Sequence, residues 1–452
     1  MMTRKMKSSG SEWIGEIPED WEVNRVKNLF KSGKGLSITK ENLIDAGLAV
    51  VSYGQIHSKS NTGVTIKSDL LRFVDFKYKK YNPQCQVYKY DFIFADTSED
   101  YEGCGNCVYK RDDSLLFAGY HSIILHSIEQ RDNRYYAYLF KTDCWRKQIR
   151  EVASGVKLFT ISQKALVNSS VIVPPFEQQQ NIANYLDKKY VEIDALLSDI
   201  QLQISILEDY KKSVITEAVT KGLNPDVEMK DSGIEWIGEV SEKWDVNRVK
   251  NMFTSGKGLS ITKENLIDEG LAVVSYGQIH SKTNTGVTIE DDLFRFVDYK
   301  YQKYYPQCQV YQYDFIFADT SEDSDGCGNC VYKRDKSILF AGYHSIILHS
   351  IIPQDNRYLA YLFKTDCWRK QIREMASGVK VLSITQKTLI NSSVTVPPFE
   401  EQQKIADYLD KKCAEIEGII VEKKKQLEVL EQYKKSLIYE YVTGKKEVIK
   451  ND

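Results

Sequence analysis

The sequence lacks any run of eighteen apolar residues, so no helix of it is expected to span a bilayer. Its opening stretch, "MMTRKMKSSGSEW", has no apolar core of the kind a signal peptide carries, so no secretion leader is expected. Excess charge of either sign is also missing. The net charge of −2 excludes a simple polycation that coats nucleic acid, though it leaves room for local basic patches. The nine cysteines, without a leader, fit reduced thiols in a cytoplasmic protein better than a disulfide framework. Most catalytic signatures are absent as well. "SGKGLS" at Ser32 has Gly35 after its lysine and is no phosphate loop. There is no G-x-S-x-G and no H-E-x-x-H. No Asn/Asp-Pro-Pro-aromatic run occurs, which an amino-methyltransferase would use to hold its target amino group.

What the sequence does have is itself, twice. "VPPFEQQQNIANYLDKK" at Val173 recurs as "VPPFEEQQKIADYLDKK" at Val396, 223 residues on. Residues 24–66 match 247–289 without a gap, differing only at Leu29/Met252, Lys31/Thr254, Ala46/Glu269 and Ser60/Thr283. "YLFKTDCWRKQIRE" at Tyr138 recurs unchanged at Tyr361. The unit is too long for a solenoid repeat, so a whole domain with its appendage has been duplicated.

Each copy divides in two. Residues 12–173 and 234–396 read as mixed α/β (α+β) heads. "LAVVSYGQI", "QVYKYDFIFA" and "LLFAGYHSIILHSI" are β-branched and aromatic runs of strand type, separated by loop-forming clusters. "YYAYLFKTDCWRKQIREV" reads as one helix over 135–152, with Tyr138, Trp145, Ile149 and Val152 on a shared face. The second part of each copy, 174–222 and 397–446, opens on Pro-Pro, which suits a first helical turn where the missing N–H has no partner anyway. Leu186, Ile193, Ile200, Leu207 and Val214 recur every seven residues, as do Leu409, Ile416, Leu430 and Leu437 around an interrupting Lys423. This is a coiled-coil seam. The first helix would be about 65 Å long at ~1.5 Å per residue. A linker, 223–233, follows a glycine stop. Chain connectivity then makes the two helices antiparallel, with a head towards each end and a pseudo-two-fold relation between the copies.

Candidate contact residues lie on polar loops and on one basic helix, and each has a counterpart in the other copy. "GKGLSITKEN" offers Lys34, Ser37, Thr39 and Lys40, with Lys257, Ser260, Thr262 and Lys263. "YGQIHSKSNTG" offers Gln55, His57 and Lys59, with Gln278, His280 and Lys282. Such amides, imidazoles and ammonium groups suit base edges and phosphates. "ASGVKLFTISQK" offers Ser154, Lys157 and Thr160, with Ser377, Lys380 and Ser383. Arg146, Lys147 and Arg150, with Arg369, Lys370 and Arg373, could hold phosphates or form an ordinary wet helix face. The other histidine pairs are His121/His344 and His126/His349, and His126 reads as structural. Each head also has four thiols: Cys85, Cys104, Cys107 and Cys144, then Cys308, Cys327, Cys330 and Cys367. Cys104 and Cys107 have zinc-knuckle spacing, but the other two lack a paired spacing, so no metal site is assigned.

Several of these phrases resemble a known family. "EWIGEIPEDWEVNRVKNLF", its twin "DSGIEWIGEV…KWDVNRVKNMF", the joint "VPPFEQQQNIANYLDKK" and the linker "VTKGLNPDVEMKDSGIEWIG" are similar to the specificity subunit of type I restriction–modification systems. The resemblance covers nearly the whole chain. It implies two target-recognition domains, each reading a few base pairs of double-stranded DNA through the major groove, and two helices that set the distance between them. It implies no catalysis in this chain. It further implies two modification (methyltransferase) subunits and translocating restriction subunits as partners, with S-adenosylmethionine, ATP and Mg on those partners and no cofactor here. Near-identical heads predict a bipartite, interrupted palindrome as the site. Two other readings compete: a stand-alone DNA-bridging or regulatory protein, and a metal-dependent DNA enzyme built on the cysteines.

Overall fold

A computed structural model describes residues 4–128, 132–351, 355–378 and 380–448. The chain divides into two units, residues 1–200 with 425–452, and residues 201–424. Each unit therefore holds one head, the start of that head's own long helix and the end of the other copy's helix.

In the first unit, the centre of the head is an antiparallel sheet of four strands in the order Cys107–Tyr109, Phe92–Ala95, Ser122–Ser127, Phe30–Lys34. "FIFA" at Phe92–Ala95 is buried on both faces. Side chains alternate along a strand. Phe92 and Phe94 pack with Phe140 and Trp145 in one core, while Ile93 and Ala95 pack with Val51 and Ile124 in another. A mixed five-stranded sheet lies beyond the second core, in the order Leu43–Ile44, Arg72–Val74, Leu48–Val51, Leu116–Ala118, Gln86–Val87. Truncating Phe92, which is fully buried, to alanine would cost about 3–5 kcal/mol.

The strand Ser170–Val173 pairs with Glu22–Arg25 and delivers the chain to Pro174 and Pro175. The Gln179 side chain donates to the Pro174 carbonyl at 2.8 Å, which fixes the turn into the helix Phe176–Lys221. Ile182, Leu186 and Ile193 of that helix share the head's core with Leu437, Ile438 and Val442 of the helix Phe399–Val442. The pairing is antiparallel. Tyr185 meets Tyr441 at 4.5 Å between ring centres, and Asp194 meets Lys434 further along. The head is bolted to its helix through Asp187, which accepts from Arg111, Arg134 and Tyr138.

The second unit repeats this plan. Its four-stranded sheet runs Phe253–Lys257, Ser345–Ser350, Phe315–Ala318, Cys330–Tyr332. Asp410 accepts from Arg334, Arg357 and Tyr361. Lys211 pairs with Glu417, and Gly222 approaches Glu401, so the helices are antiparallel here too. One detail differs. Trp21 donates to Gln178 at 2.8 Å, whereas the matching Trp244, opposite Glu401, keeps a buried indole N–H without a hydrogen-bond partner.

The heptad positions divide by burial. Leu186, Ile193, Val214, Leu409, Ile416 and Leu437 are buried, and Ile200, Leu207 and Leu430 are half-buried. Two expectations need correction. The stretch 135–152 is not one helix but two, Arg134–Leu139 and Asp143–Glu151, because the Thr142 side chain caps a fresh N-terminus by accepting from the Trp145 N–H. Val152, the residue just past the end of the second helix, is exposed. The runs read as single strands are also broken. Tyr90 (φ 76°) separates Gln86–Val87 from Phe92–Ala95, and His121 (φ 52°) separates Leu116–Ala118 from Ser122–Ser127.

Candidate nucleic-acid interface

One face of each head is a ring of loops tied together by backbone hydrogen bonds. In the first head Gly35 N–H donates to the Ser122 carbonyl at 3.1 Å and Leu36 N–H to Ala118 at 2.8 Å. Tyr53 N–H donates to the Tyr120 carbonyl at 3.4 Å, Asp96 N–H to His121 at 3.1 Å, and Ile161 N–H to Asp96 at 2.8 Å. Thr97 and Ser98 pair with Thr160 and Phe159. Two glycines permit this closeness. A Cβ on Gly35 would lie 1.9 Å from the Gly119 carbonyl oxygen, and one on Gly119 would lie 2.0 Å from Ser52 Oγ. The second head has the same bonds at the same positions, with Gly258, Tyr276, Asp319, His344 and Ile384 in those places.

The ring brings together many of the sequence candidates. Lys34 ends the strand that enters it, and Ser37, Thr39 and Lys40 follow, all exposed, as are Lys257, Ser260, Thr262 and Lys263. Thr39 and Thr262 are partly engaged already, forming capping boxes with Asn42 and Asn265. Ser154, Lys157 and Thr160 form an exposed hairpin closed by two hydrogen bonds between Ser154 and Thr160, and Ser377, Lys380 and Ser383 are likewise exposed. Lys59, Lys147 and Lys282 are exposed, while Lys370 lies 4.2 Å over the Trp236 ring.

Other candidates serve the scaffold. Gln55 and Gln278 spend their carbonyl oxygens on the Ser52 and Ser275 N–H groups. His57 has both ring nitrogens occupied: Asn106 Nδ2 donates to Nδ1 at 3.0 Å, and Nε2–H donates to the Thr97 carbonyl at 2.9 Å. His280 repeats this with Asn329 and Thr320. These rings join two loops and have no free edge for a base. Burial also pushes the His57 pKa down. Arg146 holds the Glu102 and Cys104 carbonyls. Arg150, 6% exposed, pairs with Asp143 at 2.6 Å and with Glu102 at 2.7 Å. In the second head Arg369 holds the Cys327 carbonyl and Arg373 pairs with Asp366. Arg146, Arg150 and Arg369 are thus turned inward to anchor the "CGNC" loop, whereas Arg373 stays on its own helix, partly exposed beside Asp366. His126 is structural as expected, its Nδ1 donating to the buried Asp91 at 2.7 Å.

The thiols do not assemble. Among the described residues no group of three or more His, Cys, Asp or Glu side chains could hold a metal ion. Cys107 and Cys330 face the aromatic core, where burial pushes each thiol up to about 11.

Sequence reasoning passed over His121, with Asp96 and Thr97 behind it. His121 sits at the tip of the ring with its ring 55% exposed. Its Nδ1 lies 3.2 Å from Asp96 Oδ1 and 3.1 Å from Thr97 Oγ1. The signal was the glycine in "FAGYHSII", a turn residue inside an apolar run.

A duplicated α/β head on antiparallel helices, presenting lysines, hydroxyls and aromatics from one loop ring, is the build of a DNA-reading protein. The family model for the type I restriction modification DNA specificity domain matches residues 18–205 and again 241–429. The chain belongs to that family, and its function is that of a specificity subunit: recognition of DNA sequence. Type I restriction enzyme MjaVIII specificity subunit of Methanocaldococcus jannaschii is 24% identical over 441 residues, covering 95% of this chain and 93% of that one. A chain solved in work on complex assembly and conformational transition of the type I R-M system matches with a TM-score of 0.68 at 15% identity, covering 94% of this chain and 98% of that one. The HsdS subunit from Thermoanaerobacter tengcongensis matches with a TM-score of 0.49 at 15% identity, covering 95% and 98%.

Proposed function

We propose that the two heads read the same short DNA word in inverted orientation, so that the target is an interrupted palindrome. The observation that carries this is the duplicated loop ring, with His121 at φ 52° and His344 at φ 53° holding the same partners in each head. Equal readers take equal words, and antiparallel helices favour their inverted order. The chain itself performs no chemistry. It recruits two methyltransferase subunits, and through them the restriction subunits, in the cytoplasm; S-adenosylmethionine, ATP and Mg act on those partners. Support for two equal docking sites comes from the helices. Leu196 and Ile419 are exposed at matching positions, as are Ile206 and Val429, and Tyr210 and Tyr433. A partner that fits one of each pair fits the other.

Genome-wide mapping of N6-methyladenine in cells expressing the chain with its methyltransferase tests the reading. One bipartite palindromic motif is expected. Two unrelated half-sites would refute equal reading, and failure to co-purify with a methyltransferase would favour a stand-alone DNA-bridging protein.

A further inference from the structure

We propose that Nε2 of His121, and of His344 in the second head, is a base-reading atom that accepts a hydrogen bond from the exocyclic amino group of one adenine or cytosine. The argument starts behind the ring. Thr97 Oγ1 donates to Asp96 Oδ1 at 2.7 Å, so that hydroxyl hydrogen is spent. His121 Nδ1 then faces two oxygens that can only accept, Thr97 Oγ1 at 3.1 Å and Asp96 Oδ1 at 3.2 Å. Nδ1 must carry the hydrogen, and the neutral ring's other nitrogen is a bare acceptor. The second head repeats the arrangement, with Thr320 to Asp319 at 2.7 Å and His344 Nδ1 at 3.3 and 3.2 Å from the same two atoms.

The ring is also held still. His121 occupies the left-handed backbone region that a β-carbon disfavours, and its counterpart does so in the second head. Such strain persists only where the surroundings over-determine it. Here the carbonyls of Tyr120, His121 and Ser122 all accept from neighbouring loops. Tyr53 and Tyr120 pack edge-on against the imidazole, 5.5 and 5.9 Å away between ring centres, and against each other at 5.6 Å. A triangular cluster of three rings is too broad for a minor groove about 6 Å wide but enters a major groove about 12 Å wide. There only adenine N6 and cytosine N4 present amino hydrogens. The histidine does not support the core, since its ring is more than half exposed in both copies.

This inference rests on the proposed reading of DNA by both heads, and the test separates the two. The complex of full-length chain and methyltransferase is mapped for N6-methyladenine as wild type, His121→Ala, His344→Ala and the double variant, with binding to matched and scrambled duplexes measured alongside. Each single variant is expected to relax one A·T or C·G position in one half-site and leave the other half-site intact. Affinity for the matched duplex should fall about threefold to tenfold, the worth of one hydrogen bond, with scrambled-duplex binding unchanged. His121→Gln, which keeps a polar side chain on the same backbone, serves where alanine disturbs folding, and a shifted base preference is then expected. An unchanged motif in every variant overturns the inference while leaving the DNA-reading function intact. Equal weakening on matched and scrambled DNA, with a shallower salt dependence, would make these histidines phosphate ligands and also overturns it. Absence of any motif with the wild-type chain overturns both.

Discussion

Tyr135 donates its hydroxyl hydrogen to the carbonyl of Val442 at 2.8 Å, across 307 residues of sequence, and Tyr358 does the same to Val219 at 2.8 Å. Tyr358 is the repeat counterpart of Tyr135, and Val219 that of Val442. Each head is therefore closed by the last turn of the other copy's helix, whose terminal carbonyls would otherwise lack partners. Both phenols are fully buried, so burial holds their pKa far above the usual phenol range and the hydrogen is always present to donate.

Tyr135→Phe is expected to lower stability by about 1–2 kcal/mol, because the Val442 carbonyl would stay buried and lose its donor. Urea unfolding measures this. Removing residues 425–452 should do far more to the first head than to the second. Hydrogen exchange in the truncated chain would show it as reduced protection in the strand Phe92–Ala95, with Phe315–Ala318 still protected. Equal reduction in both would contradict the exchange of helix ends.

The ion pairs between helices predict a reversal experiment. Lys434 is 11% exposed, pairs with Asp194 and lies 3.4 Å over the Tyr190 ring. Lys434→Glu should cost about 1–3 kcal/mol by facing two carboxylates together in a part-buried seam. Adding Asp194→Lys should recover most of that stability. Lys211 with Glu417 is the matching pair of the second unit and should behave the same way. A double variant no more stable than the single would show that the pair is incidental.

The helices were legible because a seven-residue repeat without proline, and with Gly418 as its one glycine, has few other solutions, and their antiparallel pairing followed from chain connectivity. The heads were legible as strands and loops but not in their breaks. "LLFAGYHSIILHSI" looks like one strand, and nothing local shows that Tyr120 and His121 turn out of it. That turn exists because Ser122 and Ala118 carbonyls are claimed by the "GKGLS" loop, which comes from a distant part of the chain. The arginines misled for a related reason. Spacing puts Arg146 and Arg150 on one helix face with Lys147 nearby, but it does not reveal that the "CGNC" loop folds back over that face and takes both guanidinium groups. The role of His57 was hidden in the same way, since Asn106 lies 49 residues away.

Salt dependence should separate the exposed cations from the buried ones. Removing one phosphate-bound cation reduces the slope of log affinity against log salt by about one. Lys34→Ala and Lys147→Ala, in exposed positions, are expected to lower the slope of duplex binding by about one each. Arg150→Ala should leave the slope unchanged and instead lower thermal stability, because it releases Glu102 and Asp143. A drop in slope for Arg150→Ala would place that side chain on DNA after all.

His57 gives the first head an acid sensitivity with a definite sign. Burial disfavours the charged imidazole, so the folded-state pKa lies below the ordinary value near 6.5. Between those two values the unfolded chain binds the proton and the folded chain does not. Stability from this site is therefore complete above about pH 6.5 and falls as pH drops through that value towards the folded pKa. His57→Gln removes the titration, while its amide can still donate to the Thr97 carbonyl. Urea unfolding of both chains at several values from pH 5 to pH 8 should show the wild type losing stability faster on acidification, with the difference vanishing above pH 7. Parallel curves for the two chains would mean that the ring accepts its proton in place, and that the Asn106–His57–Thr97 bridge does not depend on the neutral form.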